Sequence, residues 1–206
     1  WYYLKNWEYL YYMNNGTSNS VVLGLTLARN SIDNPLYTRS GSSFQLSLHM
    51  TPPVSLFRDK NWEELYKTNT AESKKEMYKW IEYWKLRFKS RTYTPLVNPD
   101  GQYTLVLMTR ADFGLLGSYN KWLKSPFETF YVGGDGMTGS YTYATETIGL
   151  RGYDNGAFTP WGKEGYAYTR FGMELHFPFM LQPTTTIYGL AFVEGGNAWT
   201  DVKDFA

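Results

Sequence analysis

The chain of 206 residues contains no cysteine and only two histidines. These absences exclude disulfide staples, thiolate nucleophiles and cysteine-ligated zinc. Charge of neither sign dominates, since 20 Lys and Arg stand against 19 Asp and Glu for a formal net charge of +1. A nucleic-acid backbone is bound by a basic surplus gathered on one face, so no nucleic-acid partner is expected. Long hydrophobic runs are missing too: uninterrupted apolar stretches, such as Val21 to Leu23, are only a few residues long, far below the ~20 apolar residues of a membrane-spanning helix. That excludes a helical membrane protein and leaves a β-barrel open, because a barrel strand needs only about 9–11 residues with one apolar face. The mean hydropathy of −0.45 suits such a wall. The opening Trp1-Tyr2-Tyr3-Leu4-Lys5 has neither the basic region nor the apolar core of a leader, so a secreted protein starting here would already be processed or shortened.

Aromatic residues are plentiful, with 8 Trp, 19 Tyr and 12 Phe, and they sit in or beside segments of strict alternation. Val21, Leu23, Leu25 and Leu27 face one way and Ser20, Val22, Gly24, Thr26 and Ala28 the other, before the breaker Asp33-Asn34-Pro35. After Arg39-Ser40-Gly41, Phe44, Leu46, Leu48 and Met50 alternate with Ser43, Gln45, Ser47 and His49. A strand with that contrast touches two different solvents. Trp84, Leu86 and Phe88 alternate with Lys85, Arg87, Lys89 and Arg91 ahead of the turn Asn98-Pro99-Asp100-Gly101. The alternation from Tyr103 to Leu115 outruns most strands of globular proteins. Phe171, Met173, Leu175, Phe177 and Phe179 alternate with Arg170, Gly172, Glu174 and His176, and Gln182-Pro183-Thr184 then leads into Ile187 to Trp199.

Two connections are long. Between Arg58 and Trp80 the chain is charged, and Ser73 with Glu76 has the spacing of a capping box ahead of Met77, Trp80, Ile81 and Trp84, which predicts a short helix. From Tyr119 to Tyr166 a stretch rich in Gly, Thr, Ser and Tyr is too long for an idle connection. Short turns therefore alternate with long loops, as in an outer-membrane barrel, where turns lie on the periplasmic side and loops outside. Aromatics gather where long loops meet strands (Trp7, Tyr11, Tyr12, Trp80, Tyr83, Trp84, Tyr119, Trp122, Tyr166, Tyr168, Trp199), with fewer near short turns (Tyr37, Tyr93, Phe179), the pattern of an interfacial girdle. A soluble β-sandwich, with apolar strand faces meeting in a dry core, is the alternative that alternation alone leaves open.

Other patterns take plainer readings. Gly134-Asp135-Gly136-Met137-Thr138-Gly139 spells a dinucleotide fingerprint, but no βαβ unit surrounds it. His49 and His176 lie on polar strand faces without a ligand or triad partner at useful spacing, so no metal site, catalytic residue or cofactor is expected and the chain is not read as an enzyme. Asn15-Gly16-Thr17 reads as a turn between a strand ending near Met13 and one starting near Ser20. The Lys85, Arg87, Lys89 and Arg91 row reads as a solvated lumen wall countered by acids elsewhere.

Within the second long loop stands Leu150-Arg151-Gly152-Tyr153, preceded by Gly133-Gly134-Asp135-Gly136; downstream come a strand with Glu174 and then Phe192-Val193-Glu194-Gly195-Gly196-Asn197-Ala198-Trp199. Here the sequence resembles the C-terminal barrel of the BamA family of outer-membrane protein insertases, from about Val21 to Trp199. In that family a Val-Arg-Gly-Phe type motif tips the sixth extracellular loop, which folds back into the barrel. The next strand carries a lumen-facing Glu, matched by Glu174, and the one after an aromatic-x-acid-x-Gly signature, matched by Phe192, Glu194 and Gly196. The resemblance implies that Arg151 pairs with Glu174 and Glu194, and Thr145 to Tyr153 looks most like versions from Bacteroidota. By alternation alone, Glu174 and Glu194 share a lumen face where a loop guanidinium could make bidentate bonds, and Gly152 is expected to let the backbone approach the wall closely.

The resemblance implies an all-β fold, an antiparallel transmembrane barrel of outer-membrane type. Residues 1–206 would be an internal part of it, about seven strands of a barrel of about sixteen, with 119–166 as a long extracellular loop folding into the lumen. The first and last strands and the periplasmic N-terminal domains would lie outside this sequence. The implied function is folding and inserting nascent β-barrel proteins into the outer membrane of a Gram-negative bacterium, without a cofactor. Its partners would be those nascent barrels, accessory assembly lipoproteins, other outer-membrane subunits and the lipid bilayer. Two rivals remain: a secretion transporter of the same superfamily moving one dedicated cargo, and a glycan-binding domain using exposed aromatics such as Trp122, Tyr141 and Tyr143.

Overall fold

The computed structural model of the chain describes residues 2–5, 15–136, 146–159 and 165–205. Its strands are β1 (Tyr2–Leu4), β2 (Gly16–Ser18), β3 (Leu23–Asn30), β4 (Gly41–Met50), β5 (Trp84–Val97), β6 (Leu105–Gly117), β7 (Phe130–Val132), β8 (Glu146–Ile148), β9 (Ala167–Gln182) and β10 (Thr185–Trp199). Two short helices, α1 (Trp62–Thr68) and α2 (Ala71–Met77), lie between β4 and β5. Six strands make one open antiparallel sheet in the order β10-β9-β6-β5-β4-β3. Each is joined to a neighbour next along the chain, except that β6 reaches β9 through the loop that holds β7 and β8. No helix among the described residues is long and apolar enough to cross a membrane.

The sheet is inside-out relative to a soluble domain. On its outward face Leu23, Phe171, Phe179 and Val193 are 70, 58, 70 and 75% exposed. On the inward face Ser47, Lys85, Asp112, Glu174 and His176 are buried. A sandwich would pair the apolar faces with each other, whereas here polar residues are covered and a continuous apolar face is left open, a surface that calls for lipid. The sandwich alternative is thereby overturned. Both outer edges of the sheet, β3 and β10, have no strand beside them among the described residues, as an incomplete barrel requires. The further strand expected before Met13 falls on residues 6–14, outside the described residues.

Turn chemistry sets the register at the short-turn end. Asn98, with φ of 51°, accepts from the Gly101 amide through its carbonyl at 2.9 Å and closes the β5–β6 hairpin. The β3–β4 connection is longer and folds inward, with the Asp33 carboxylate taking the Arg39 and Ser40 amides at 2.9 and 3.2 Å. Tyr37 is buried there and donates its hydroxyl to the Thr104 carbonyl at 2.7 Å, while its ring meets Tyr188 edge-on at 5.4 Å. Tyr37 is therefore a plug in the end of the lumen instead of a member of an outer girdle. Tyr93, on the inward parity of β5, joins it around His176.

At the long-loop end Ile81, Tyr83, Leu116 and Tyr168 pack with Phe130, Val132 and Ile148 of β7 and β8 into a buried cluster. Tyr83 and Tyr168 thus also belong to a core and not to a girdle, because the loop offers apolar partners inside the mouth. Gly16 opens β2 and pairs with Leu4, so Asn15-Gly16 is not the expected hairpin turn. The capping box at Ser73 does not form either. Thr70 caps α2 by accepting from the Ser73 amide at 3.2 Å, and Glu76 is taken by Lys60 and Arg58. Helix α2 ends at Met77, leaving Trp80 and Ile81 outside it and Trp84 in β5.

Candidate functional site

The lumen site is assembled from three strands and one loop. On β9, alternation turns Arg170, Glu174 and His176 inward, and the register sets Glu174 directly opposite Phe192 and Gly172 opposite Glu194 on β10. Phe192, Glu194 and Gly196 therefore share the inward face. A Cβ on Gly172 would stand 3.3 Å from Cγ of Glu194, and one on Gly196 would meet the Thr169 carbonyl oxygen at 2.4 Å. Small residues at these two positions let the Glu194 side chain lie along the wall and the β9–β10 ladder close beneath it.

Into this face comes the tip of the loop. Leu150 is fully buried and donates its amide to the Gly134 carbonyl at 2.8 Å. Arg151 follows: its Nη2 bonds Glu174 Oε1 and also Glu194 Oε1, the latter at 2.6 Å, and its backbone amide donates to Glu194 Oε2 at 2.9 Å. The guanidinium carbon lies 3.9 Å from the centre of the Phe192 ring. The two carboxylates raise the affinity of Arg151 for its proton, the bond to Glu194 contributing most. One side chain thus contacts two adjacent strands, by charge-assisted bonds of the strong class. Such a partly desolvated cluster selects one arrangement over others more than it adds net stability.

One residue of the motif differs from expectation. Gly152 makes no close approach, since a Cβ there would meet nothing within 4 Å. What requires glycine is the backbone, whose φ is +89°. Tyr153 is 47% exposed and packs edge-on against Phe158, another loop residue, at 4.9 Å.

Supporting residues escaped the sequence reading. Arg110 of β6 reaches Glu194 Oε1 at 3.2 Å, and His176 holds Glu174 Oε2 at 2.9 Å. Arg170 spans Asp112 of β6, at 2.6 Å, and the Gly149 carbonyl just before the motif. Parity offered a signal, because residues two apart on one strand share a face, as Glu174 and His176 do. Nothing local could mark Arg110, which depends on which strand pairs with β9.

The loop is fastened a second time. Glu146 of β8 meets Arg87, Lys85 and Lys89 of β5 at 2.7, 3.0 and 3.5 Å, and Lys85 also reaches Glu128 at 3.1 Å. Burial opposes ionisation of Glu146, yet the attraction of Lys85 and Arg87 holds its carboxyl below the ordinary value. The cation row is thus neutralised largely by the loop that covers it. Strand β7 runs parallel to β8, and the Val132 amide donates to Thr159 Oγ1 at 3.0 Å, so the loop has its own small framework. Of the fingerprint Gly134 to Gly139, residues 137–139 lie outside the described residues, as do Tyr141 and Tyr143. Trp122 is not a free sugar platform, since its ring packs on Tyr66 at 5.3 Å and beside the Trp62, Met77 and Leu123 cluster.

Comparisons with known proteins follow the same lines. The sequence profile of the Omp85 superfamily domain matches residues 3–206. No curated protein matches the chain. Among solved structures, the crystal structure of BamA from Haemophilus ducreyi lacking POTRA domains 1–3 superposes with a TM-score of 0.59 at 17% identity, over 88% of this chain. The chain spans 30% of that structure's length, and likeness at this identity concerns the fold.

Proposed function

The chain belongs to the Omp85 superfamily, and on that premise we propose that it is an internal barrel segment of an outer-membrane insertase that folds and inserts nascent β-barrel proteins. The observation that carries the reading is Arg151, held between Glu174 and Glu194 on adjacent strands. It anchors the loop tip inside the barrel and fixes one register of loop against wall. The work is non-covalent: strand edges of the full barrel pair with an incoming chain, and the loop keeps the lumen shaped while the wall yields elsewhere. Its partners in this reading are nascent barrels, accessory lipoproteins, other outer-membrane subunits and the bilayer of a Gram-negative outer membrane. The Thr145 to Tyr153 stretch favours a Bacteroidota-type version.

Depletion of the full-length protein tests this. Falling outer-membrane levels of many unrelated barrels support the insertase, unchanged levels sink it, and loss of one secreted protein alone makes it a dedicated transporter of the same superfamily.

A further inference from the structure

Leu56 and Phe57, in the 3-10 turn Val54–Phe57 after β4, are 69 and 82% exposed. No large apolar side chain among the described residues is more exposed than Phe57. Val193, Leu23 and Phe179 approach it, and they stand on the outward face of the sheet, where lipid covers them.

The register fixes which side of the wall the turn occupies. The β4–β5 ladder runs one step past its last strand pair, with the Thr51 amide donating to the Tyr83 carbonyl at 3.0 Å and the Tyr83 amide to Thr51 Oγ1 at 2.8 Å. Ile81 and Tyr83 are buried in the inner cluster, so Glu82 between them points outward, to the side of Trp84. Glu82 is nonetheless buried, because Ser55 closes over it, donating both its amide and its hydroxyl, the hydroxyl at 2.7 Å. The indole of Trp62 binds the Ser55 carbonyl at 3.3 Å. The turn therefore sits on the outer side of the wall, with Ser55 facing the sheet and Leu56 and Phe57 standing out from it.

Just below runs the last row of the outward face, in which Leu23, Met50 and Trp84 are register partners on β3, β4 and β5. The exposed pair continues that apolar row upward. Arg58 and Lys60, next in the chain, both turn back to Glu76 of α2, which draws the charges into the loop body. Pro52 and Pro53 stiffen the approach from β4.

We propose that Leu56 and Phe57 are a membrane anchor, entering the leaflet on the long-loop side at the boundary between acyl chains and headgroups and holding the β4–β5 loop against the bilayer. Phenylalanine and leucine on a rigid turn are the side chains that such a boundary takes up. The proposal rests on the barrel reading, and its test separates the two.

In the full-length protein, without other cysteines, single cysteines replace Phe57, Phe171 in the outward face of β9, or Lys67 on α1, each labelled with an environment-sensitive fluorophore. The protein is reconstituted in phosphatidylcholine–phosphatidylglycerol vesicles carrying nitroxides either near the headgroup or deep in the acyl chain. The expected result is loss of fluorescence at 57 to the shallow nitroxide, at 171 to the deep one, and at 67 to aqueous iodide alone. Quenching of 57 by iodide alone, with 171 still quenched from lipid, overturns the anchor and leaves the barrel. Shielding of 57 from both iodide and lipid overturns it in favour of a protein partner or second copy. Failure of lipid to quench either 57 or 171 overturns the barrel as well.

Discussion

Arg151 lies with its guanidinium carbon 3.9 Å from the centre of the Phe192 ring, and that ring stands opposite Glu174 in the β9–β10 ladder. The cation is thus held by two carboxylates and also meets the face of a π system, which gives the aromatic of the β10 signature a physical task. Phe192→Leu is expected to keep both ion pairs while losing about 0.5–2 kcal/mol of loop docking, and Phe192→Tyr to retain it. Amide exchange at residues 146–159 reads the difference. Equal protection in the Leu variant would leave the ring without that task.

Removing Arg151 leaves Glu174 and Glu194 facing each other with less positive charge between them. Arg151→Ala is expected to release the loop tip at a cost of up to about 3 kcal/mol, below the range for fully buried pairs because a third of its side chain is exposed. Glu194→Gln should weaken docking more than Glu174→Gln. Glu194 is the more enclosed carboxylate and takes Arg110 as well as the amide and guanidinium of Arg151. The double variant should fall short of the sum of the two by about 0.5–3 kcal/mol, read as protease resistance of the loop. Strictly additive losses would show that the three residues do not act as one network.

Gly152 and Gly114 separate two reasons for glycine. Gly152→Ala meets no neighbour within 4 Å and is strained only through its φ of +89°, so a destabilisation of about 1 kcal/mol is expected. Gly114→Ala would place Cβ 2.4 Å from the Tyr168 ring and 2.7 Å from the Phe130 ring, where overpacking typically costs about 1–3 kcal/mol. Heat-dependent mobility in electrophoresis should therefore change more for Gly114 than for the motif glycine. The reverse order would mean that Gly152 carries a contact that the loop conformation alone does not explain.

The strands were legible because a wall between lipid and a polar lumen writes period two into the chain. The Lys85, Arg87 and Lys89 row and the Phe171, Met173 and Phe179 row announce opposite faces without any partner being known. The lumen position of Glu174 followed from the same parity, and the motif drew attention to Arg151. What stayed hidden depends on contacts between residues far apart in sequence. Glu146 and Glu128 meet Lys85 only once the loop has folded back, and Arg110 meets Glu194 only because β6 lies beside β9. A short helix is legible between β4 and β5, and its start differs from the expected box for a local reason. Asn61 and Thr70 each precede a short helix as the side chain that caps it, while Glu76, needed for a box at Ser73, is engaged by Arg58 and Lys60.

Glu146 makes the docking of the loop sensitive to acid. It lies in the loop, where burial disfavours its charge but Lys85, Arg87 and Lys89 outweigh burial, holding the carboxyl below its ordinary 4.5. Released into water it would bind protons at higher pH than it does when docked. Its contribution is therefore complete above that ordinary value and is lost as pH falls through the lower, docked one. Protease cleavage around residues 128–148 should accordingly rise as the pH drops below 4.5. Glu146→Gln should be cleaved faster than the parent at neutral pH, because Lys85 then keeps only Glu128. Its own acid-dependent rise should be smaller, so that the two proteins converge in acid. Since Lys85 is almost fully buried, moderate salt should reproduce little of the effect, in contrast to what it does to exposed pairs. Parallel pH curves for the two proteins would remove Glu146 as the acid-sensitive fastening and leave the loop to its other attachments, Arg151 among them.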